Sequence, residues 1–451
     1  MGELRLFIDF GSTFTKVCAF DLEREELAGW AKAPSTVDTD VTAGLRSALE
    51  ELKKQLPVTE ALIGSAMGCS SAAGGLRVAC IGLTRELTTR AARLAAFGAG
   101  AKVVATRSNL LTAEDAAELE ALRPDIVLLA GGTDGGDKKT IIRNAETLAA
   151  TGDGISSILA AGNKSARDAI GEIFSGTGKQ VLFAKNILPR LGELDTEPVN
   201  EKIREIFLGR ITASKGIDRA ETMIGRVLMP TPSAVLQAAR ILADGVPHEE
   251  AGMGELLIVD VGGATTDVYS VAEGIPVDAS VSLVGLREPR IKRTVEGDLG
   301  LYHNLDSLVS AAGGREADVA ALRARLSVPE GADAEKHVEL TRLAVRLAVQ
   351  RHCGTLEPLY TGAAVNRVQR GKDLTGIPAV IGAGGPIVFS PDCARVLSGA
   401  VKSEEDGDAL KPKSPALYRD GQYILFAAGL LSETEPLKAL HLMKKYITPV
   451  C

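Results

Sequence analysis

The stretch that decides the fold is Leu256-Leu-Ile-Val-Asp-Val-Gly-Gly-Ala-Thr-Thr-Asp-Val-Tyr269. Its first four residues are apolar and predict a buried strand, which Asp260 directly follows. Gly262 and Gly263 then predict a turn at which the backbone approaches another group closely. The pattern is therefore a strand, a carboxylate, a glycine turn and a second strand.

A second copy of this pattern lies at the N-terminus, in Leu6-Phe-Ile-Asp-Phe-Gly-Ser-Thr-Phe-Thr-Lys-Val17. The two copies align at three positions, which pair Asp9 with Asp260, Gly11 with Gly262, and Thr13 with Ala264. We expect these hairpins, about 250 residues apart, to face each other across a nucleotide.

The composition limits the class of protein. A chain of 451 residues is too long for one core and long enough for two or three domains. The net charge of −7, with scattered Lys and Arg, argues against a nucleic-acid surface. None of the six cysteines forms a C-x-x-C pair, which argues against a zinc site. Without a signal peptide or a bilayer-long apolar run, we expect a cytoplasmic protein that contacts no membrane.

The order of apolar and polar residues predicts local structure. Residues 3–33 predict three antiparallel strands, and residues 76–209 alternate strands with helices, as in a parallel sheet. We expect a strand at 61–65, a small flexible stretch at 67–75 and a returning strand at 275–284. The charged residues 286–302 predict a loop. Its segment Arg287–Arg293 is either solvated, the interpretation we adopt, or faces phosphate or the second lobe.

A third glycine-rich element, Val380-Ile-Gly-Ala-Gly-Gly-Pro386, would offer backbone to a flat base and ribose. A carboxylate beside a glycine turn suits a site for metal and phosphate. The turn's N–H groups can face phosphate oxygens, and the carboxylate can hold Mg²⁺ through waters. Any one of these elements alone is weak evidence, whereas the three in this order are specific.

The three elements resemble motifs of a known superfamily. Asp9-Phe-Gly-Ser-Thr13, Asp260-Val-Gly-Gly-Ala-Thr265 and Gly382-Ala-Gly-Gly385 are similar to the phosphate-1, phosphate-2 and adenosine motifs of the actin, sugar-kinase and 70-kDa heat-shock ATPases. The resemblance implies a two-lobed, actin-like α/β ATPase with ribonuclease-H-like lobes and connecting helices at 232–239 and 423–430. Many members carry a third glycine at the position of Ala264, whose methyl group is tolerable if its φ is negative.

Within this superfamily the whole chain resembles the MutL/GlmL family associated with glutamate mutase, which is distinct from the mismatch-repair protein of similar name. The resemblance rests on Phe7–Lys16, Arg123–Gly136 and Glu296–Gly300. It implies an ATP-dependent chaperone that releases damaged cobalamin from an adenosylcobalamin-dependent aminomutase. ATP and Mg²⁺ would be its cofactors, and the mutase its partner.

The resemblance also implies how the chain is divided. Residues 1–75 would begin lobe I, 76–209 would form an inserted Rossmann-like domain similar to a cobalamin-binding subunit, 210–255 would return to lobe I, and 256–451 would form lobe II and the closing helices. The cobalt-binding histidine of such a subunit is missing from Gly82-Leu-Thr-Arg-Glu-Leu-Thr88, and the first histidine of the chain is His248. We hypothesise that the insert mimics the subunit and docks on the large subunit of the mutase. The alternative is an ordinary insert without mimicry.

The motifs assign roles to individual residues. Asp9 and Asp260 are the candidate catalytic and metal-holding residues, and Ser12, Thr13 and Thr265 would donate hydrogen bonds to phosphates. Glu296 and Asp298 are candidates for positioning the attacking water. The full set of candidate nucleotide-binding residues is Gly11, Ser12, Thr13, Lys16, Gly262, Gly263, Ala264, Thr265, Gly382, Gly384 and Gly385.

Three other functions are compatible with the same fold. A small-molecule kinase would need a catalytic base, and the sequence offers no convincing one. An iron–sulfur electron donor, similar to the activators of 2-hydroxyacyl-CoA dehydratases, is disfavoured because both predicted connecting helices lack cysteine. A non-enzymatic actin-like scaffold is the third. The sequence leaves open the mutase, any contact with cobalamin, and the oligomeric state, a homodimer included.

Overall fold

A computed structural model describes residues 3–11, 13–36, 40–71, 76–211, 217–276, 278–311, 332–361 and 364–450. The first elements are β1 (Leu4–Phe10), β2 (Phe14–Asp21), β3 (Glu26–Pro34), α1 (Val41–Lys53), α2 (Glu60–Gly64) and β4 (Met67–Ser70). Alternating strands and helices follow: β5 (Arg77–Gly82), α3 (Arg90–Gly98), β6 (Lys102–Ser108), α4 (Ala113–Leu122), β7 (Ile126–Leu129), α5 (Lys139–Ala149), β8 (Ser157–Ala160), α6 (Arg167–Phe174), β9 (Gln180–Phe183) and α7 (Glu197–Ile211).

The next elements lead into the second half of the chain: α8 (Ile217–Met223), β10 (Arg226–Pro230), α9 (Thr231–Asp244), β11 (Gly245–Val246), β12 (Glu250–Ala251), β13 (Leu256–Val261), β14 (Thr266–Val271), β15 (Ser282–Leu283) and β16 (Ile291–Glu296). The last are α10 (Leu305–Ala311), α11 (Ala332–His352), β17 (Thr355–Thr361), β18 (Ala364–Arg370), β19 (Ala379–Ala383), α12 (Gly385–Val388), α13 (Cys393–Leu397), β20 (Ala416–Asp420), α14 (Leu425–Leu431), α15 (Pro436–Tyr446) and β21 (Ile447–Pro449). Within the described residues, no helix is long and apolar enough to cross a bilayer.

Two of the sheets share one strand plan. In the first, which we call lobe I, the order is β10-β4-β1-β2-β3, with β1 to β3 antiparallel and β4 parallel to both β1 and β10. In the second, lobe II, the order is β16-β14-β13-β19-β20-β21, with β13, β14 and β16 antiparallel and β19 parallel to both β13 and β20. Two copies of this plan confirm the predicted actin-like α/β fold.

One apolar layer joins the two lobes. A face of each sheet packs against α9, α14 and α15, and Phe7 of β1 and Ile258 of β13 lie in this layer. Because side chains alternate across a strand, Asp9 lies on the same face as Phe7, and Asp260 on the same face as Ile258. The strand period therefore directs both carboxylates into the space between the lobes.

The five strands β6-β5-β7-β8-β9 form a parallel sheet, which together with α3 to α7 we call the insert. Val78 and Cys80, on one face of β5, belong to the core that lobe I builds around α1. Ala79 and Ile81, on the other face, pack with residues of α4, α5 and α6. The insert therefore shares a core with lobe I. Its likeness to a cobalamin-binding subunit and the division of the chain at residues 75, 209 and 255 stay predictions.

Two of the local predictions near the N-terminus were wrong. Residues 61–64 lie in helix α2 instead of a strand, and Ser65 follows its end, because Thr59 caps the helix by accepting a hydrogen bond from the Leu62 N–H at 3.2 Å. A short apolar run does not by itself distinguish the two structures. Met67–Ser70, predicted to be flexible, is the buried strand β4 between β1 and β10. Residues 72–75 lie outside the described residues.

The charged residues 286–302 are not a solvated loop. Strand β16 runs through them and buries Lys292 and Arg293 to 5% and 4% exposure. Both cations are paired, Lys292 with Glu288 and Arg293 with Asp267. The strand predicted at 275–284 is reduced to the two residues of β15. Charge alone misled the prediction, because each buried cation has a carboxylate partner, Glu288 within the same stretch and Asp267 on β14.

The predicted connecting helices are α9 and α14, and they cross at close range. A Cβ atom on Gly429 of α14 would lie only 1.9 Å from the Ala234 carbonyl oxygen of α9. Ala234 belongs to the apolar layer between the lobes, and Gly429 lies between Ala428 and Leu430, which also belong to it. The contact requires glycine at this position, because any side chain would push the helices apart.

We predict that Gly429→Ala destabilises the protein by about 1–3 kcal/mol, the usual penalty of overpacking, although alanine is the better helix former. Urea unfolding followed by circular dichroism measures the change. The control is Gly64→Ala in α2, where an added Cβ meets nothing within 4 Å. Equal stabilities of the two variants would contradict a close crossing.

Candidate functional site

Asp9 lies near the end of β1, is 2% exposed, and both of its carboxylate oxygens accept hydrogen bonds. Lys16, directly opposite on β2, donates from Nζ to Oδ2 at 3.0 Å. Thr231, the first residue of α9, donates from Oγ1 to Oδ1 at 2.6 Å. Burial lowers the pKa of Lys16, but Asp9 and then Asp260 outweigh it and raise that pKa overall. The Asp9 carboxylate is therefore fixed in orientation and paired with a charged amine.

Asp260 occupies the equivalent place in lobe II but has different neighbours. The residue opposite it on β14 is Asp267, where lobe I has Lys16. Burial, and next the charge of Asp267, raise the pKa of Asp260 to about 7. No described residue donates a hydrogen bond to its side chain, and a Cβ on Gly384 would lie 2.5 Å from its Oδ1. Asp260 is thus a carboxylate that lacks a partner at the meeting of the lobes.

Asp267 is neutralised by a buried arginine. The Nε and Nη2 atoms of Arg293 donate to Asp267 Oδ1 at 2.9 and 2.6 Å. Thr265 donates from Oγ1 to Asp267 Oδ2 at 3.1 Å. The hydroxyl that the sequence predicted to contact a phosphate is therefore bound to Asp267 in this structure.

The two glycine turns close in the same way. The Gly11 N–H donates to the Phe14 carbonyl at 3.2 Å, and the Gly262 N–H donates to the Thr265 carbonyl at 2.8 Å. Ala264 is not among the residues with positive φ, so its methyl group replaces a glycine without strain. The turns also face each other.

The distance between the turns is short, because a Cβ on Gly263 would lie 3.8 Å from Thr13 Oγ1. The structure thus brings Thr13 and Gly263 together across the cleft. Ser12 lies outside the described residues, so its predicted role stays a prediction.

The turn of lobe II is held from behind. The carbonyls of Gly262 and Gly263 accept hydrogen bonds from the backbone N–H groups of residues 301–303, and Asn304 Nδ2 donates to the Ala264 carbonyl at 2.6 Å. Among the described residues, the N–H groups of Gly263, Ala264 and Thr265 have no acceptor. Consecutive N–H groups of this kind form an anion-binding concavity.

The third glycine element contributes two residues to the cleft and one to the core. A Cβ on Gly382 would lie 2.6 Å from the Ile387 side chain, which identifies Gly382 as a packing position. Gly384, with φ +84°, lies against Asp260, and a Cβ on Gly385 would lie 2.9 Å from Tyr423 Oη. Of the three glycines, Gly384 and Gly385 are therefore the ones that border the site.

An aromatic stack spans the lobes beside these glycines. Tyr423, which precedes α14, stacks on Trp30 of β3 with ring centroids 5.9 Å apart. The Lys16 Nζ atom lies 5.3 Å from the Tyr423 ring centroid. Asp420 accepts hydrogen bonds from the N–H groups of Ile424 and Leu425, both at 3.0 Å, and so fixes the start of α14.

Sequence reasoning missed several residues of the site. Asp267 was quoted in the motif without a role, although its period-2 position opposite Asp260 could have revealed the acidic pair. Thr231 gave only a weak signal, a hydroxyl between two prolines at the start of a helix. Arg293 and Tyr423 gave no usable signal, because their partners are distant in sequence.

Two predicted residues are engaged in an ion pair. Arg351 Nη1 donates to Glu296 Oε2 at 2.8 Å and to Asp298 Oδ1 at 2.7 Å. A role in positioning water stays a prediction for both carboxylates.

The raised pKa of Asp260 predicts a dependence of stability on pH. The pKa is about 7 in the folded protein and about 3.9 in an unfolded chain, so stability is lost as the pH rises from about 4 through about 7. Asp260→Asn removes this titration. We expect the free energy of unfolding in EDTA to fall less between pH 5 and pH 8 in the variant than in the wild type.

Urea unfolding at the two pH values measures the difference. The control is Asp153→Asn, which changes an exposed carboxylate elsewhere. An unchanged pH dependence in Asp260→Asn would show that Asp260 does not titrate in this range.

Solved structures with similar folds cover nearly the whole chain at low identity. A xylulose kinase from Bifidobacterium adolescentis is 11% identical, covering 99% of this chain and 96% of its own, with a TM-score of 0.32. The activator of the 2-hydroxyisocaproyl-CoA dehydratase from Clostridium difficile with bound ADPNP is 10% identical, covering 98% and 96%, with a TM-score of 0.29. These likenesses are weak, and the fold rests on the strand order itself.

Sequence comparisons are much stronger. A family model described as MutL protein matches residues 5–447. Protein MutL of Clostridium tetanomorphum is 44% identical over 460 residues, which covers 99% of each chain. The chain described here belongs to the MutL protein family.

Proposed function

We propose that this protein is an ATP-dependent chaperone that reactivates an adenosylcobalamin-dependent aminomutase of the glutamate mutase type. It would release damaged cobalamin through movement of the two lobes. The observation that carries the proposal is the pair of carboxylate-bearing turns that face each other between duplicated lobes. Family membership supports the nature of the partner.

The phosphates of ATP would bind where the two turns meet. The free N–H groups of Gly263, Ala264 and Thr265 offer donors from lobe II, and Thr13 offers a hydroxyl from lobe I. The base and ribose would lie along Gly384 and Gly385. A ligand bound in this way contacts both lobes, so its binding favours their closed arrangement.

Mg²⁺ fits the acidic groups of the site. Within the described part of the chain, no residue donates a hydrogen bond to the Asp260 side chain. Its pKa is raised because burial and the charge of Asp267 disfavour the ionised carboxylate. Carboxylate oxygens are the ligands that Mg²⁺ prefers, usually through several waters. Among the described residues no group of three or more His, Cys, Asp and Glu could hold a metal directly, which favours contact through water. Mg²⁺, when bound, would neutralise phosphate charge between Asp9 and Asp260.

The residues of the chain would act by positioning and by electrostatics, which dominate phosphoryl transfer. Lys16 and Thr231 hold the Asp9 carboxylate in one orientation. The deprotonated Asp260 would stabilise positive charge beside the phosphates. The free N–H groups of the lobe II turn would stabilise the negative charge of the phosphates. Thr231 is the first residue of α9. A change in the position of Asp9 would therefore act directly on a helix that joins the lobes.

The insert is the proposed docking module for the mutase. Leu110 and Leu191 are 48% and 76% exposed, and they follow β6 and β9, the two edge strands of its sheet. Both leucines therefore lie toward the carboxyl ends of the parallel strands, the edge at which such sheets usually bind their ligands. Exposed leucines at the end of the sheet where the strands have their carboxyl termini suit a protein partner.

We predict that the protein releases cobalamin from glutamate mutase loaded with hydroxocobalamin only when Mg²⁺ and ATP are present. Release is measured by the absorbance of free cobalamin after filtration. Asp260→Ala should reduce ATP hydrolysis at least a hundredfold and abolish release, because it removes a carboxylate that would hold Mg²⁺ beside the phosphates. The exposed-site variant Asp153→Asn is the control.

Three outcomes would separate the alternatives. Full hydrolysis by Asp260→Ala would refute the assignment of the site. Hydrolysis without release would point to another mutase or to a small-molecule kinase. Release without nucleotide would exclude a role for ATP-driven lobe movement in the release of cobalamin.

We predict that Leu110→Asp and Leu191→Asp together weaken binding to the large subunit of the mutase about tenfold or more, because charge replaces apolar contact at the docking edge. Titration calorimetry measures the affinity. Leu359→Asp changes another exposed leucine, on β17 outside the insert, and should bind as the wild type does. Unchanged binding by the double variant would argue against docking at this edge.

A further inference from the structure

The turn that joins α3 to β6, residues 97–101, touches both halves of the candidate nucleotide site. We call it the α3–β6 turn. It belongs to the insert, yet it contacts strand β16 of lobe II on one side and the start of α9 on the other. The first contact leads through Arg293 to Asp267, which lies opposite Asp260. The second leads through the first residues of α9 to Asp9.

The contact with lobe II is made by Arg293. Its Nη1 atom donates to the carbonyls of Phe97 and Ala101 at 3.1 and 3.2 Å, while Nε and Nη2 bind Asp267. The side chain is buried, so no water replaces a lost partner. A planar guanidinium holds its donors in a fixed fork, and it cannot keep both sets of bonds if the turn and Asp267 move apart.

The contact with α9 is made by Ser233. Its Oγ atom donates to the Ala99 carbonyl at 3.3 Å. A Cβ on Gly100 would lie 2.9 Å from Ser233 Oγ. Ser233 is two residues beyond Thr231, which binds Asp9. The start of α9 therefore connects Asp9 to the α3–β6 turn within three residues.

A separate ion pair holds the other end of α3 on lobe II. Arg90, the first residue of α3, is paired with Glu288, which also accepts from Lys292 at 2.7 Å. This pair does not reach the carboxylates of the site. It ties α3, which also packs in the core shared with lobe I, to β16 of lobe II, so that the α3–β6 turn is held from both lobes.

We propose that Arg293 is a positioning residue that couples the nucleotide site to the insert. The position of the α3–β6 turn determines the position of the Asp267 carboxylate, which lies beside Asp260. Conversely, binding of nucleotide at the site determines the position of the turn. Movement between the lobes changes the distance between β16 and the start of α9, and the turn cannot follow both. The inference rests on the proposed ATP site, and it names the route by which that site reaches the docking module.

Hydrogen–deuterium exchange of the full-length protein tests the route. Exchange of the backbone amides in residues 97–101 is compared with and without saturating Mg²⁺ and ATP, and ATP affinity is measured on the same samples. In the wild type we expect nucleotide to change the exchange rate about fivefold or more, the scale of an ordinary allosteric coupling. In Arg293→Lys, measured at an ATP concentration that saturates the variant, that response should vanish.

The matched control is Arg290→Lys. Arg290 lies three residues earlier and pairs with Asp244 and Glu273 without touching the insert, so its variant should respond like the wild type. Ser233→Ala provides a milder second variant on the α9 side, where the response should shrink. It keeps the proposal testable if Arg293→Lys fails to fold.

The outcomes distinguish the coupling from the function on which it rests. An Arg293→Lys variant that binds ATP and responds like the wild type overturns the coupling and leaves the proposed ATPase standing. If Arg293→Lys does not fold, a full response in Ser233→Ala overturns it. Failure of the wild type to bind ATP overturns both proposals together.

Discussion

The structure depends on the burial of carboxylates between two sheets. Asp9, Asp260, Asp267 and Asp420 all lie near strand ends that meet at the layer between the lobes. A buried charge is tolerated only with partners, and three of the four have them, in Lys16 and Thr231, in Arg293, and in the first N–H groups of α14. Asp260 is the exception, and the site forms around it.

This imbalance arises from a broken repeat. The two lobes share a strand plan, a hairpin and an Asp-x-Gly turn, yet the residue opposite the carboxylate is Lys16 in one and Asp267 in the other. Lobe I neutralises its own carboxylate, whereas lobe II needs a cation from outside the hairpin. Arg293 supplies it for Asp267 and at the same time reaches the insert. Function thus lies in the difference between the copies.

The sequence predicted what depends on local pattern. The duplicated hairpins and the parallel sheet follow from period and glycine chemistry, the connecting helices were implied by the resemblance, and the structure has them. Failures occurred where a partner that was not recognised decides the outcome. The cations of β16 appeared solvated because Asp267 and Glu288 were not recognised as their partners, and a five-residue helix resembles a strand until its Thr59 cap is seen. The residues around Asp260 were missed for the same reason.

The core that the insert shares with lobe I has an evolutionary consequence. Val78 and Cys80 of the insert are buried against the same apolar cluster as α1, so removing the insert would leave lobe I with an exposed face. As the proposed docking module, this unit could not be exchanged for a foreign one to change the partner, whereas a tethered domain could be. A change of partner would instead proceed by substitution at the outer edge of the sheet, with the interior kept as common framework.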